Sequence, residues 1–160
     1  MNYRLITEND NTPLAKIIRK NLETHHLDVP GTVYFDPNLD HLSDFYLAEP
    51  DKRYYFIFLG ADNQVIGGAG LAEVSFFEDC AELQKLYLAK DTQGSGFGYE
   101  MVHLVEEKAK SLGYKQIYLE THTNLEAAMH IYHKLGYREI PRPKEVVHGG
   151  MDHFFIKLLS

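Results

Sequence analysis

The chain has 160 residues, of which 44% are hydrophobic and 24% are charged, a balance typical of one soluble globular domain with a single core. A net charge of −7 without any basic run argues against nucleic-acid binding, and no apolar run approaches the roughly 20 residues that span a bilayer. The N-terminal segment has no apolar stretch of the kind that directs export, and the single cysteine, Cys80, excludes an intramolecular disulfide. We therefore expect one domain over residues 1–160 in the cytoplasm, with neither a membrane nor a nucleic acid as partner.

The first half of the chain predicts a strand, two helices and a β-hairpin. Pro13 stands at the first position of the first helix, where the missing N–H costs no hydrogen bond, and apolar residues then recur at helical spacing. Two runs rich in aromatic and apolar residues flank a turn at 60–63, which indicates the hairpin. The predicted elements are a strand over residues 2–7, a helix capped by Asn11 or Thr12 and running to about His25, a loop over 28–37, a helix over 38–47, and strands over 53–59 and 64–74.

The second half predicts alternating strands and helices. The elements are a strand over residues 81–88, a glycine-rich loop, a helix ending at Gly113, a strand over 116–121, a helix opened by a capping box at 123–126, and strands over 137–140 and 151–158. A strand, a helix and a strand in succession require a crossover and hence a parallel pair, whereas the hairpins require antiparallel neighbours. The predicted fold class is α/β (α+β), a mixed and mostly antiparallel sheet with a central parallel pair and helices on its faces.

The glycine-rich loop predicts a phosphate site. Residues 86–98 read LYLAKDTQGSGFG, so a strand ends in three alternate glycines, Gly94, Gly96 and Gly98, before a helix begins. Glycines let the backbone approach a ligand, and the first free N–H groups of a helix bind anions. No Lys followed by Ser or Thr comes after Gly98, which argues against an ATPase loop, and the loop lies outside the first strand–helix unit that carries a dinucleotide fingerprint. A plain glycine turn stays open as the alternative at this point.

Two motifs, together with the element order, resemble the GNAT superfamily of acetyl-CoA-dependent N-acetyltransferases over nearly the whole chain. The family signature Arg/Gln-x-x-Gly-x-Gly/Ala is matched by Gln93, Gly96 and Gly98, and the signature Ala-x-x-x-Tyr-x-x-x-Gly-Phe/Tyr by Ala128, Tyr132, Gly136 and Tyr137. The resemblance implies the GNAT acyl-CoA N-acyltransferase fold, in which the parallel strands splay apart and admit the pantetheine arm of acetyl-CoA.

The resemblance also implies a set of acetyl-CoA contacts and no metal. The strand before the loop would pair with pantetheine, and the amides of the loop would bind the pyrophosphate with help from the helix dipole. In this family an Asn precedes the motif alanine by three residues, whereas Asn124 precedes Ala128 by four. The implied contact residues are Leu86, Tyr87, Leu88, Gln93, Gly94, Ser95, Gly96, Phe97, Gly98, Asn124 and Tyr132.

Two residues are candidates for proton transfer. By resemblance, Tyr132 is the general acid that protonates the departing CoA thiolate, and its position on an apolar helix stripe equally suits a core tyrosine. Glu82 stands eleven positions before Gln93, a spacing at which some family members carry the general base for the amine. A surface glutamate is its alternative. Gln84 shares the face of Glu82 and would help to order a water.

The resemblance also implies that the acceptor meets the first two helices, the loop between them and the last strands, which here means residues 29–35, Tyr46 and the segment 141–150. Aromatic residues Tyr34, Phe35 and Tyr46, together with Glu82, would form the acceptor pocket, although loop aromatics also serve to pack a loop down. Cys80 has no histidine near it in sequence and reads as a small buried hydrophobe. His130 and His133 lack the companion ligands of a metal motif and read as a solvated helix face.

The function predicted from this resemblance is direct transfer of the acetyl group from acetyl-CoA to a primary amine of a small molecule or peptide. Monomer and homodimer are both open. One rival is a non-catalytic acyl-CoA-binding or sensing module of the same fold. The other is a nucleotide-binding protein that uses the glycine loop for ATP or a dinucleotide.

Overall fold

The computed structural model describes residues 2–146 and 149–160, and its centre is one seven-stranded sheet. The strands are β1 (Asn2–Leu5), β2 (Tyr54–Leu59), β3 (Val65–Val74), β4 (Cys80–Leu88), β5 (Gln116–Thr121), β6 (Arg138–Ile140) and β7 (His153–Leu158). The helices are α1 (Asn11–Thr24), α2 (Leu42–Ala48), α3 (Phe97–Ser111) and α4 (Glu126–Lys134). Strand order is β1-β2-β3-β4-β5-β7-β6, and neighbouring strands are antiparallel except for β4 and β5. The predicted mixed sheet with one central parallel pair is confirmed.

The parallel pair is short and then opens. Residues 80–82 of β4 pair with residues 116–118 of β5, after which β4 runs on to Leu88 and β5 to Thr121 without pairing each other. The connection between the two strands passes through α3, as the crossover predicts. A gap therefore lies between the carboxyl ends of the two strands.

Helices cover both faces of the sheet, and β2 shows how the sequence divides them. Tyr55 and Ile57 pack with α1 and α2 on one face, whereas Phe56 and Phe58 pack with α3 and α4 on the other. All four side chains are buried, which explains why this strand reads as a continuous apolar run rather than an alternating one. Within the described part of the chain, no helix is both long and apolar enough to cross a bilayer.

The start of α1 differs from the prediction. Asp10, not Asn11 or Thr12, occupies the N-cap, so Pro13 lies at the third helical position instead of the first. A short 3-10 turn over Glu8–Asp10 runs directly into the helix, because Asp10 accepts hydrogen bonds from the Arg4 guanidinium at 2.6 Å and from the Thr7 amide at 2.7 Å. The side chain of Asn11 instead binds Ser43 at the start of α2.

Other boundaries also shift. The predicted second helix divides into a 3-10 turn, Leu39–His41, and α2. The capping box predicted at 123–126 is absent, because the Thr123 amide and hydroxyl donate to the Asp152 carboxylate at 2.9 and 2.8 Å. The last helix therefore begins at Glu126, with Leu125 at its N-cap. The predicted segment 141–150 includes Val147 and His148, which lie outside the described residues.

A buried carboxylate joins the last strand to α3. Glu106, with a side chain 10% exposed, accepts a hydrogen bond from the Tyr137 hydroxyl at 2.8 Å and from the Lys157 ammonium at 2.9 Å. The Lys157 ammonium also lies 5.3 Å from the centre of the Tyr137 ring. Since the charge of Glu106 is both paired and hydrogen-bonded, this group tolerates burial and fixes the helix against the sheet edge.

Candidate active site

A cavity occupies the gap between β4 and β5. It lies beyond the last pair of the parallel strands, Glu82 and Tyr118, and extends between the strand ends and α4. Its walls come from both strands and from the helix, and they include Leu86, Leu88, Glu120, Ala128, Ile131 and Tyr132. The backbone of residues 86–88, expected to face the pantetheine arm, lies along this cavity.

A β-bulge bends β4 at the cavity wall. The register against β3 shifts by one residue between Gly68 and Gly70, so Lys85 and Leu86 together oppose the single residue between those glycines. Lys85 adopts a left-handed backbone with φ of +51°. As a consequence, Gln84 and Tyr87 face the same side of the sheet, toward α1 and α2, although strict alternation would separate them.

The glycines of the loop serve two different purposes. Gly94 and Gly96 have φ of +82° and +85°, and a Cβ at either would meet nothing within 4 Å, so this loop needs glycine for its backbone and leaves open space beside it. Gly98 is different, because a Cβ there would lie 2.6 Å from the Cδ1 atom of Ile131. A side chain at this position would therefore displace the end of the Ile131 side chain on α4. The helix begins at Phe97, and its first N–H groups have no partner within the helix.

Gln93 is directed toward the strand end. Its amide donates to the Lys90 carbonyl at 3.3 Å, and its side-chain nitrogen donates to the Leu88 carbonyl and the Asn21 side chain, both at 3.0 Å. The Leu88 carbonyl also accepts from Asn21 at 2.9 Å. The free amides of the loop thus begin at Gly94, and Gln93 fixes where β4 ends. The open loop, the helix start and the adjoining gap fit a coenzyme with a diphosphate and an extended arm.

Tyr132 reaches the cavity from the core. Its side chain is 4% exposed, and its ring packs 5.7 Å from Tyr137 and 6.1 Å from Phe155, centre to centre. The hydroxyl has no hydrogen-bond partner among the described residues, and the residue lines the gap. Burial raises the pKa of Tyr132 above its ordinary 10, so the phenol keeps its proton at neutral pH. Tyr132 is therefore both a core residue, through its ring, and a residue of the cavity wall.

A hydrogen-bonded chain leads to Glu82 from the opposite face. The Tyr46 hydroxyl donates to the Gln84 side-chain oxygen at 2.6 Å, and the Gln84 nitrogen donates to a Glu82 carboxylate oxygen at 2.9 Å. Tyr46 is 1% exposed and belongs to α2, so the helix fixes the orientation of the Gln84 amide. Tyr46, Gln84 and Glu82 are thus brought together at the place where the strands part.

The environment of Glu82 favours its neutral form. Burial raises the pKa of Glu82 from the ordinary 4.5 to about 7, and the negative charge of Glu120 adds to the rise. The hydrogen bond from Gln84 acts against it, because that bond stabilises the charged form. A carboxylate with such a pKa exchanges protons readily at neutral pH, which is the property of a general base.

Two charged residues that the sequence did not single out lie beside Glu82. Glu120 on β5 accepts a hydrogen bond from the Tyr118 hydroxyl at 2.8 Å and lines the cavity. Lys85 also lines it and makes no ion pair within the residues that the structure describes. Burial lowers the pKa of Lys85, whereas the charges of Asp36 and Glu82 oppose that change. Only the bulge and the strand register bring these groups together, and neither has a sequence signal.

Asn124, predicted to contact acetyl-CoA, and Tyr34 and Phe35, predicted to contact the acceptor, make other contacts in the structure. The Asn124 side chain donates to the His25 carbonyl at 2.9 Å, which joins the start of α4 to the end of α1. Tyr34 donates to Glu23 of α1 at 2.6 Å, and its ring packs 5.2 Å from Phe35. Phe35 is 58% exposed. Of the predicted acceptor aromatics, only Tyr46 reaches Glu82 through a hydrogen-bonded chain.

A backbone hydrogen bond joins the two segments expected to select the acceptor, the loop after α1 and the segment before β7. The Gly150 amide donates to the Gly31 carbonyl at 2.7 Å, so the loop after α1 meets the segment before β7 backbone to backbone. A Cβ at Gly31 would lie 3.1 Å from the Gly150 nitrogen, and one at Gly150 would lie 2.7 Å from the Thr32 methyl group. Neither position has room for a side chain.

Other reactive side chains lie apart from this chemistry. Cys80 is 2% exposed, and burial raises the pKa of its thiol to about 12, which leaves the thiol protonated and unreactive. Within residues 2–146 and 149–160, no group of three or more His, Cys, Asp or Glu side chains is arranged to hold a metal ion.

Comparison with known proteins identifies the family of this chain. The family model for the acetyltransferase (GNAT) family matches residues 19–137. The chain is 33% identical over 139 residues to the uncharacterized N-acetyltransferase YjgM of Escherichia coli (strain K12). The matched region covers 86% of this chain and 81% of that protein.

Solved structures show the same fold. A GNAT-family acetyltransferase from Staphylococcus aureus Mu50 gives a TM-score of 0.85 at 18% identity, covering 99% of both chains. The phosphinothricin acetyltransferase of Sinorhizobium meliloti in complex with acetyl-CoA gives 0.74 at 18% identity, covering 99% of this chain and 88% of that chain. The chain therefore belongs to the GNAT acetyltransferase family, as an acetyl-CoA-dependent N-acetyltransferase.

Proposed function

We propose that this enzyme transfers the acetyl group of acetyl-CoA directly to a primary amine of a small molecule or peptide. One observation carries the proposal. Glu82 lies on the face of the sheet that α2 covers, Tyr132 comes from α4 on the other face, and the gap between β4 and β5 lies between them. A proton acceptor and a proton donor on opposite sides of one opening suit an acyl transfer that passes through it.

The donor side of the site is formed by the glycine loop and the strand before it. Acetyl-CoA supplies the acetyl group as an activated thioester. The amides from Gly94 to Gly98 donate to its diphosphate, at the positive end of the α3 dipole. At the bulge, the backbone N–H of Leu86 donates to the thioester carbonyl and stabilises the negative charge that develops on its oxygen. Tyr132 gives its proton to the sulfur as the thiolate leaves.

The acceptor side is formed by Glu82 and its neighbours. With a pKa of about 7, Glu82 is about half ionised at neutral pH and takes a proton from the incoming ammonium group, directly or through a water that Gln84 orients. The nearby carboxylate of Glu120 favours a cationic acceptor in its protonated form before transfer. Tyr46 holds Gln84 in the orientation that this role requires.

The test is turnover with acetyl-CoA and a broad amine library, followed by release of free thiol. Tyr132→Phe should lose turnover while keeping its affinity for acetyl-CoA. Tyr3→Phe is a matched control, because that tyrosine is 48% exposed on the edge strand β1. Cys80→Ala should retain activity, since transfer does not pass through an acyl-cysteine.

Two results would contradict the proposal. Tight binding of acetyl-CoA without thiol release across the library would instead support a non-catalytic acyl-CoA-binding module. Stabilisation of the protein by ATP or NAD, but not by acetyl-CoA, in a thermal melt would point to the nucleotide-binding alternative, because a ligand in hundredfold excess over its Kd adds roughly 2.7 kcal/mol of apparent stability.

A further inference from the structure

A buried tyrosine holds the bulge of β4 in place. The Tyr55 hydroxyl on β2 donates to the Lys85 carbonyl at 2.7 Å, across the intervening strand β3. This carbonyl belongs to the residue with the left-handed backbone, at the point where the β3–β4 pairing is interrupted. A bulge leaves such a carbonyl without its ladder partner, so the phenol supplies the hydrogen bond that the sheet does not.

The sequence of β3 makes room for this contact. A Cβ at Gly68 would lie 2.3 Å from the Tyr55 ring, and one at Gly70 would lie 2.4 Å from it. The ring therefore crosses β3 over two glycines, which is the physical reason for the Gly-Gly-Ala-Gly run. Tyr55 is fully buried, and its ring centre lies 4.9 Å from that of Tyr46, so it has little freedom to move.

The geometry of the peptide group connects this contact to the reaction. The Lys85 carbonyl and the Leu86 N–H belong to the same peptide unit, which is planar and trans, so the two groups point in opposite directions. Anchoring the carbonyl on one side therefore fixes the direction of the N–H on the other. Burial keeps the pKa of Tyr55 well above 10, so the hydroxyl stays a donor over the whole working pH range.

We propose that Tyr55 is a positioning residue: by holding the Lys85 carbonyl, it aims the Leu86 N–H at the thioester carbonyl of bound acetyl-CoA. This inference rests on the proposed function, in which that N–H polarises the thioester. Tyr55 itself touches neither substrate. Its effect is expected on the transfer step and not on the affinity for acetyl-CoA, because the diphosphate contacts lie in the glycine loop beyond the strand.

The experiment compares Tyr55→Phe with wild type. Phenylalanine keeps the ring that lies over the two glycines and removes only the donor. Since loss of a complete oxyanion donor costs roughly 100- to 1,000-fold in kcat, a donor that is merely misdirected should cost on the order of tenfold or more, with less than about a threefold change in KM for acetyl-CoA. Tyr114→Phe is the matched control, because that hydroxyl donates to the Lys52 carbonyl at 2.8 Å away from the site.

A spectroscopic measurement separates positioning from general weakening. The infrared stretch of carbonyl-labelled acetyl-CoA should shift to lower frequency on binding to wild type and to Tyr114→Phe, and should return toward the free value in Tyr55→Phe. This readout needs no acceptor. If wild type shows neither the shift nor turnover, the proposed function fails; if Tyr55→Phe keeps both the wild-type stretch and the wild-type kcat, this inference alone is overturned.

A second variant keeps the test informative if Tyr55→Phe does not fold stably. Should Tyr55→Phe be unstable, it is combined with Lys85→Gly, which relieves the positive φ at the bulge, and compared with Lys85→Gly alone. The double variant should still show the lower kcat and the smaller carbonyl shift. Equal kcat and equal stretch in those two proteins would overturn the inference as well.

Discussion

Replacing Glu82 with glutamine should stabilise the protein at alkaline pH while it removes most of the activity. Glutamine has nearly the same shape, and its side-chain oxygen can still accept the hydrogen bond from Gln84. It lacks the negative charge that the buried site disfavours and also the oxygen that receives a proton. Stability and activity should therefore move in opposite directions, which a merely structural glutamate would not produce.

The magnitude follows from the pKa of Glu82. A change from the ordinary 4.5 to about 7 means that the folded protein binds this proton more tightly than the unfolded chain. The contribution of Glu82 to the free energy of unfolding therefore falls as pH rises from 4.5 to 7 and is constant above pH 7. At about 1.4 kcal/mol for each tenfold change in proton affinity, Glu82→Gln should raise the free energy of unfolding at pH 8 by about 3 kcal/mol.

The same proton governs catalysis. Because only the ionised carboxylate accepts a proton, kcat/KM of the wild type should fall about tenfold for each pH unit below 7 and level off above it. Loss of a general base usually costs 100-fold or more, so Glu82→Gln should lose roughly that much at pH 8 and lose the low-pH dependence.

Urea unfolding at pH 8 and at pH 5, together with initial rates from pH 5.5 to 9, provides the test. Glu49→Gln is the control, since that carboxylate is exposed after α2 and its substitution should change neither quantity. The stability gain of Glu82→Gln should shrink at pH 5, where the folded wild type is already protonated. An unchanged stability at pH 8, or a wild-type pH profile in the variant, would refute the reasoning.

The remaining predictions concern other parts of the site and the core. Tyr132→Phe should lower kcat by roughly 100-fold or more and leave the Kd for acetyl-CoA, measured by calorimetry, within about twofold; an unchanged kcat would exclude it as the acid. Gly96→Ala should weaken acetyl-CoA binding, because it strains a left-handed position in the loop. The control is Gly113→Ala, at φ of +96° after the far end of α3, which should cost similar stability in a thermal melt and leave the Kd for acetyl-CoA unchanged. Glu106→Ala should lower the free energy of unfolding in urea by roughly 2–4 kcal/mol, because it leaves the Lys157 ammonium and a buried tyrosine hydroxyl without their acceptor; a loss below about 1 kcal/mol would show that the pair adds little.

The order of elements and the parallel pair could be predicted because both depend on local patterns. Apolar spacing marks the helices, and a strand, a glycine loop, a helix and a strand in succession leave only a parallel crossover. Helix starts were less accurate, because distant partners decide them. Asp10 stands at the N-cap of α1 while its carboxylate binds Arg4 and Thr7 before the helix. Thr123 is drawn from its predicted capping role by Asp152, which is far along the chain.

Within the site, motif residues could be predicted and their companions could not. Tyr132 and Glu82 were identified through the family resemblance. Tyr132 lines the cavity, Glu82 lies at the last residue pair before the strands part, and their catalytic roles stay predictions. The positions of Glu120 and Lys85 depend on strand register and on an extra residue in β4, neither of which any sequence pattern records. Tyr55 could not be identified either, because its contact crosses a whole strand.

The backbone bond between Gly31 and Gly150 has an evolutionary consequence. It joins two peptide segments that lie far apart in sequence and that are predicted to contact the acceptor, at a crossing without room for a side chain. A mutation that moves one segment must move the other as well. New substrate preferences in this lineage should therefore arise through coordinated changes in both segments, and transplanting either one alone from a relative should damage the enzyme before it redirects it.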